Sequence, residues 1–341
     1  MNRPNRVVVS KSALQSNWQW LAARSGAACG AAIKADGYGL GAREAMLALH
    51  EVGCRDFFVS TWWEASELGE VPANACLSVL HGVGENDIEA ALASDARPVL
   101  NSVDQVERWR RIAPERPCDV MVDTGMNRLG LRLEEIGALA GLRIETLMSH
   151  LACADEDHPL NAQQLSRFRR VRAAVPAQCY SLANSAGICL GDDYSFDLVR
   201  PGLALYGGIP RHEAVGNICQ VANVEAQIIQ RRVIRAGESC GYGATFVATA
   251  DVPAAIVNIG YADGYLRGFS SRGRAFAHGV ELKVLGRVSM DLIALDASQA
   301  NVREGDWVEL DYDLPSASAA SGLSQYELLT SLGNRFERIW R

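Results

Sequence analysis

The sequence predicts an α/β fold followed by an all-β one: an N-terminal (β/α)8 barrel with a C-terminal β-strand domain. Two observations carry this. From about residue 12 to 200, short apolar runs alternate with helical patterns at a spacing of about 20 to 35 residues, the length of a strand plus a returning helix. Beyond about residue 225 the pattern changes to alternating runs bounded by glycine. In chain order the expected barrel strands are Cys29–Ile33, Asp56–Val59, Cys76–Leu80, Pro98–Leu100, Asp119–Val122, Ile144–Met148, Cys179–Leu182 and Phe196–Val199. Between them Ala42–Val52, Glu64–Glu70, Val103–Ile112 and Ala162–Val175 show apolar residues at helical spacing. Eight such units favour a closed barrel, with an open doubly wound sheet as the alternative. The later strands are Ile228–Ile234, Ala254–Ile259, Arg274–His278, Leu282–Val284 and Trp307–Leu310, closed by a helix over Ser324–Leu332. The small residues of 315–322 read as a loop. The division is drawn at 11–225 for the barrel and 226–341, with 1–10, for the β domain.

At 341 residues with 48% hydrophobic and 21% charged side chains, the chain has the composition of a globular protein of enzyme size. A net charge of −7 gives no support to a nucleic-acid partner. The apolar runs are far shorter than a membrane span needs, and the N-terminus lacks the apolar stretch of a signal peptide, so a cytoplasmic protein is expected. Nine scattered cysteines without a C-x-x-C spacing read as reduced, mostly buried thiols. Of the 33 basic residues only three are lysines: Lys11, Lys34 and Lys283. A surviving lysine is a candidate for chemistry that arginine cannot do, because an amine loses its proton and forms a Schiff base whereas guanidinium stays charged. Lys11 and Lys283 suit solvated surface positions. Lys34 ends an apolar strand and is followed by Ala35-Asp36-Gly37-Tyr38-Gly39-Leu40-Gly41. In a barrel that place is the C-terminal mouth, where half-burial depresses an amine's pKa.

The Lys34 segment resembles the lysine motif of the alanine racemases, fold-type III pyridoxal-phosphate enzymes. The resemblance continues in order through Asp123-Thr-Gly-Met-Asn-Arg128-Leu-Gly130, Ser149-His150-Leu-Ala-Cys-Ala-Asp-Glu156, Asn184-Ser185-Ala186 and Arg200-Pro-Gly202-Leu203-Ala-Leu-Tyr206-Gly207. Gly241-Tyr242-Gly-Ala-Thr245, Gly260-Tyr261-Ala-Asp-Gly-Tyr265 and Gly286-Arg-Val-Ser-Met290-Asp291 complete it. Seven ordered matches after the lysine motif cover most of the chain.

The resemblance implies a pyridoxal 5'-phosphate (PLP) cofactor and interconversion of L- and D-alanine by two bases, feeding D-alanine to peptidoglycan. Lys34 carries the cofactor and serves as base on one substrate face. Tyr242, contributed by the partner subunit of a homodimer, serves on the other, with His150 and Arg200 as modulators. Arg200 faces the pyridine nitrogen and, having no acceptor and no accessible deprotonation, keeps that nitrogen unprotonated. Tyr38, Ser185, Gly202 and Leu203 are the implied phosphate contacts; Arg128 and the Met290 backbone N–H are those of the substrate carboxylate, with the Met290 side chain expected to pack. No metal is implied.

Three positions depart from the family pattern. Met121 stands where many relatives place a carbamylated lysine, so Arg128 must be oriented otherwise, by Asn127, another carboxylate or a bound anion. Asn334 replaces a phosphate-contacting tyrosine, and Asp36-Gly37 replace the commoner Asn and Ala. Competing readings are a racemase of other or broader range, a fold-type III decarboxylase or aldolase, a non-catalytic PLP carrier, and a metal-dependent barrel hydrolase using His150, Asp155, Asp157 and His158. Arg200 opposes decarboxylation, the β domain opposes the carrier, and the last group lacks a recognised ligand spacing.

Overall fold

A computed structural model describes residues 3–341. The chain divides into two compact units, one formed by Leu14–Cys219 and the other by Gln220–Arg341 with the N-terminal residues through Ala13. The first strand, β1 (Asn5–Val9), belongs to the second of these.

In the unit Leu14–Cys219 the expected first strand is split at Gly30 into β2 (Ala28–Cys29) and β3 (Ala31–Ala32). A Cβ at Gly30 would lie 2.8 Å from the Asp56 carbonyl oxygen, so the backbone approaches its neighbour too closely for any side chain. There follow β4 (Asp56–Val59), β5 (Cys76–Val79), β6 (Arg97–Leu100), β7 (Cys118–Met121), β8 (Ile144–Met148), β9 (Cys179–Ser181) and β10 (Leu198–Val199). Parallel pairing runs from β3 to β9 in sequence order, and β10 pairs with β2 through Leu198–Ala28 and Val199–Cys29. The remaining gap is bridged by N–H donation from Asp197 to the Tyr180 carbonyl (3.0 Å) and from Arg200 to that of Ala183 (2.9 Å). The sheet is therefore a closed parallel barrel, not an open doubly wound one.

Because helices cover the outside and side chains fill the inside, the strands are apolar nearly throughout. Phe58, Val99, Met121, Met148 and Leu198 form one interior cluster. Toward the N-terminal ends of the strands the fully buried Asp119 accepts from Ser78 Oγ (2.6 Å) and Thr146 N–H (2.9 Å), with Arg97 Nε at 3.3 Å. Two helices start earlier than their periodicity suggests. Trp62–Glu67 is capped by Thr61, and Pro159–Ala174 by His158, whose Nδ1 accepts the Leu160 N–H.

The second unit is antiparallel. Its strands are β11 (Ala222–Ile234), β12 (Ser239–Cys240), β13 (Phe246–Val247), β14 (Val252–Val257), β15 (Arg274–Ala277), β16 (Val280–Leu285), β17 (Ile293–Asp296), β18 (Trp307–Leu310) and β19 (Glu337–Trp340). The order β14-β17-β16-β15-β18-β11 closes on itself because β11 also pairs with β14; β1 and β19 extend it from β11. A register shift between Ile228 and Gln230 lets the 13-residue β11 leave β18 and join β14. The stretch expected as a loop over 315–322 is a helix, Leu314–Ser321. Asp313 caps it through the Ser316 N–H, Pro315 fits its first turn, and Gly322 (φ 75°) ends it. Alanine and serine supply helix propensity without an apolar stripe, which is why periodicity missed it.

All nine cysteines are free thiols, but only Cys29, Cys54, Cys118 and Cys189 are buried, fewer than expected; Cys76 and Cys219 are exposed. Among the described residues no helix is long and apolar enough to cross a membrane.

Candidate active site

Lys34 directly follows Ile33, whose N–H donates to the Phe58 carbonyl (2.9 Å). The chain then makes a left-handed turn: Ala35, Asp36, Gly37 and Tyr38 have φ of 52°, 52°, 60° and 55°. Left-handed backbone costs about 1–2 kcal/mol per non-glycine residue, so the turn needs support. The N–H groups of Gly37, Gly39 and Gly41 donate to the carbonyls of Ile33, Ala35 and Asp36, each at 2.8 Å. The Asp36 carboxylate accepts the Ala42 N–H (2.9 Å), the first free N–H of the helix Ala42–Glu51. Lys34 is left at the mouth of the barrel. Its amine is pushed down from the usual lysine range by burial first and by Arg128 second, with Glu64 opposing. Tyr38 turns inward and stacks on Tyr206, centroids 4.7 Å apart, whose hydroxyl donates to the Ala32 carbonyl (3.0 Å).

The loops after β8 and β10 bring two more bases to the same place. His150 is held down to about 3 by burial and then by Arg200, Arg128 and Lys34, so its imidazole is neutral at pH 7. Arg200, 7% exposed, donates to Ser181 Oγ and to the Ser149 carbonyl (2.6 Å). Burial lowers it to about 10, which still leaves it charged at neutral pH. Basic groups this close repel one another, and an anion among them relieves the repulsion.

A cradle lies beside them. Ser185 Oγ accepts the N–H groups of Gly202 (3.0 Å) and Ala204 (3.3 Å), which leaves its own hydroxyl proton available to donate. A Cβ on Gly202 would sit 2.1 Å from the Tyr38 hydroxyl, so the two residues meet only because Gly202 lacks a side chain. Leu203, 4% exposed, opens the turn Leu203–Tyr206. Arg128 is exposed on a loop organised by Asp123, whose Oδ1 accepts from Gly125 (2.8 Å) and Met126 (2.9 Å). Met121 points into the apolar barrel cluster.

The unit Leu14–Cys219 thus carries Lys34, Tyr38, Arg128, His150, Ser185, Arg200, Gly202 and Leu203 near the C-terminal ends of its strands. Tyr242 and Met290 lie in the other unit. Tyr242, 65% exposed, sits between Gly241 and Gly243, both at positive φ. The Met290 carbonyl accepts the Ala262 N–H (3.0 Å), and Gly260 has no room for a Cβ beside it. The Met290 side chain, expected to pack, is 53% exposed in the single chain. Arg335 joins Asp263 (2.6 Å) to Asp291 (2.7 Å), bracing this loop. Asn334 is exposed and gives its carbonyl to Arg3 (3.2 Å).

Sequence reasoning passed over Glu64, Ser181 and Arg335. Only Glu64 had a local signal, the Thr61-x-x-Glu64 capping box. The residues of the metal-hydrolase reading disperse: Asp157 pairs with Arg211 (2.5 Å), His158 caps a helix, and His150 faces cations.

Fold and site together define a two-domain barrel enzyme with a partly buried lysine at the barrel mouth. Residues 9–210 match the alanine racemase N-terminal domain family and residues 221–340 the alanine racemase C-terminal domain family. The chain belongs to the alanine racemase family. It is 40% identical to the alanine racemase of Rhizobium meliloti over 100% of its length and 97% of the relative's. The alanine racemase of Bartonella henselae, solved with covalently bound pyridoxal phosphate, superposes with a TM-score of 0.93 at 36% identity, each chain covered completely. The biosynthetic enzyme of Pseudomonas aeruginosa superposes at 0.90 with 32% identity, again covering both chains fully.

Proposed function

We propose that this chain is a PLP-dependent isomerase that interconverts L- and D-alanine with Lys34 and Tyr242 as its two bases. The observation that carries the reading is the gathering of Lys34, Arg128, His150 and Arg200 around one another at the barrel mouth. A phosphorylated aldehyde and an amino-acid carboxylate are the anions this group suits. The residues fit PLP: a depressed lysine amine for the aldehyde, the Ser185 hydroxyl and the open space at Gly202 for the phosphate, and a buried guanidinium for the ring nitrogen.

When bound, PLP holds the substrate amine and spreads the negative charge left as the α-proton departs. Everything else falls to this chain. Lys34 Nζ, held low by burial and Arg128, takes or returns the α-proton on one face. Tyr242 Oη does so on the other face, from a second copy of the chain. Arg200, which offers only donors, denies the ring nitrogen a proton and limits the electron sink, favouring proton return over transamination or decarboxylation. Arg128 binds the substrate carboxylate with paired donors, aided by the Met290 N–H. Neutral His150 keeps a further positive charge out of the pocket.

A homodimer in the cytoplasm, supplying D-alanine where the host builds peptidoglycan, completes the reading. For the homodimer the support is the exposure, on the unit containing Tyr242, of Ile229, Val233, Val247 and Leu292 besides Tyr242 and Met290. Borohydride reduction and mass spectrometry of the purified enzyme must find a pyridoxyl group on Lys34, and Lys34→Ala must lose it. An unlabelled Lys34 overturns the assignment. Mixing Lys34→Ala with Tyr242→Phe subunits should restore about a quarter of wild-type activity, because each mixed dimer regains one intact composite site. No recovery after verified subunit exchange refutes the shared site.

A further inference from the structure

We propose that Glu64 is a positioning residue whose carboxylate holds the left-handed turn beginning at Lys34 against the end of β4. This rests on the reading that Lys34 carries the reaction. Glu64 Oε1 accepts the Ala35 N–H (2.7 Å), while Oε2 accepts those of Ser60 (2.5 Å) and Thr61 (3.1 Å). One side chain thus ties the residue after Lys34 to the two residues after β4. Ala35 and Asp36 sit in backbone that non-glycine residues disfavour, and the carbonyl-to-amide bonds of the turn begin only at Gly37. The Ala35 N–H is the turn's first donor and has no carbonyl within the turn to receive it. A charge-assisted bond to Glu64 fills that place.

All three groups facing the carboxylate are donors, so an acceptor-only side chain is required. Glutamine must aim its NH2 at one of them. It can keep its oxygen on Ser60 and Thr61, preserving the helix cap, only by releasing Ala35. Thr61→Ala makes the opposite lesion: it removes the hydroxyl that accepts the Glu64 N–H (3.1 Å) and leaves the Ala35 bond intact.

The experiment compares these variants as purified holoenzymes. In Glu64→Gln, kcat should fall about tenfold with KM within about twofold, since the amine is misplaced and the carboxylate site untouched. PLP should also leave about tenfold faster, followed by absorbance after dilution into a cofactor scavenger. Thr61→Ala should lower the melting temperature while holding kcat and the PLP release rate within about twofold of wild type. Glu64→Asp, one methylene too short to span both partners, should behave like Glu64→Gln and stands in for it if that variant does not fold. Equal kcat and release rates in Glu64→Gln and Thr61→Ala would overturn the proposal, as would full recovery in Glu64→Asp. Lys34→Ala separates the two levels. If it retains covalent PLP, the reading of Lys34 fails; if it loses PLP while Glu64→Gln behaves as wild type, only the role of Glu64 fails.

Discussion

Gly202→Ala tests the cradle at its tightest point. The added Cβ would lie 2.1 Å from the Tyr38 hydroxyl oxygen and 2.7 Å from the ring carbon bearing it, where ordinary contact begins near 3.4 Å. The ring must therefore retreat by about 1 Å. It cannot do so freely, being 6% exposed and stacked on Tyr206. Overpacking of this kind costs about 2 kcal/mol, which in a unit of this size lowers the melting temperature by roughly 4–8 °C. Displacing Tyr38 should also weaken PLP retention. The assay is calorimetry plus equilibrium dialysis on a double-mutant cycle. Tyr38→Ala removes the obstacle, so adding Gly202→Ala to it should cost under about 0.5 kcal/mol, a coupling of about 1.5 kcal/mol. Tyr38→Phe should relieve only part, because the ring carbon remains. Additive effects in the cycle, or a Gly202→Ala protein as stable and as loaded as wild type, would refute the contact.

Two other outcomes follow from the site. His150 is held near 3 against an ordinary value of 6.5, so the unfolded chain binds a proton that the folded chain refuses; its stabilising effect is present above pH 6.5 and is lost as the pH falls toward 3. The cofactor-stripped protein should lose about 2 kcal/mol between pH 7 and 5 from this group, and His150→Gln should flatten that part of the urea-midpoint profile; parallel profiles would contradict the assignment. Tyr242→Phe should keep the cofactor absorbance and lose at least about a hundredfold in racemisation, with solvent deuterium still entering one alanine enantiomer; undiminished turnover in both directions would remove Tyr242 as a base.

Periodicity and composition made much of this molecule legible. The alternation of strand and helix marks a barrel because a parallel strand buried on both faces must be apolar, and an antiparallel strand with one wet face must alternate. The scarcity of lysine picked out Lys34 because arginine replaces its charge but not its nucleophilicity. These are properties of single residues and near neighbours, which a linear sequence displays. Other features depend on which distant segments meet. Glu64 serves Ala35 across 29 residues. His150 becomes a poor base because the fold buries it and, second, because three cations from separate segments converge on it. The pairing of β3 with β4 and the closure of β10 onto β2 decide these meetings, since hydrogen bonding between strands is set by three-dimensional register and not by the order of residues alone.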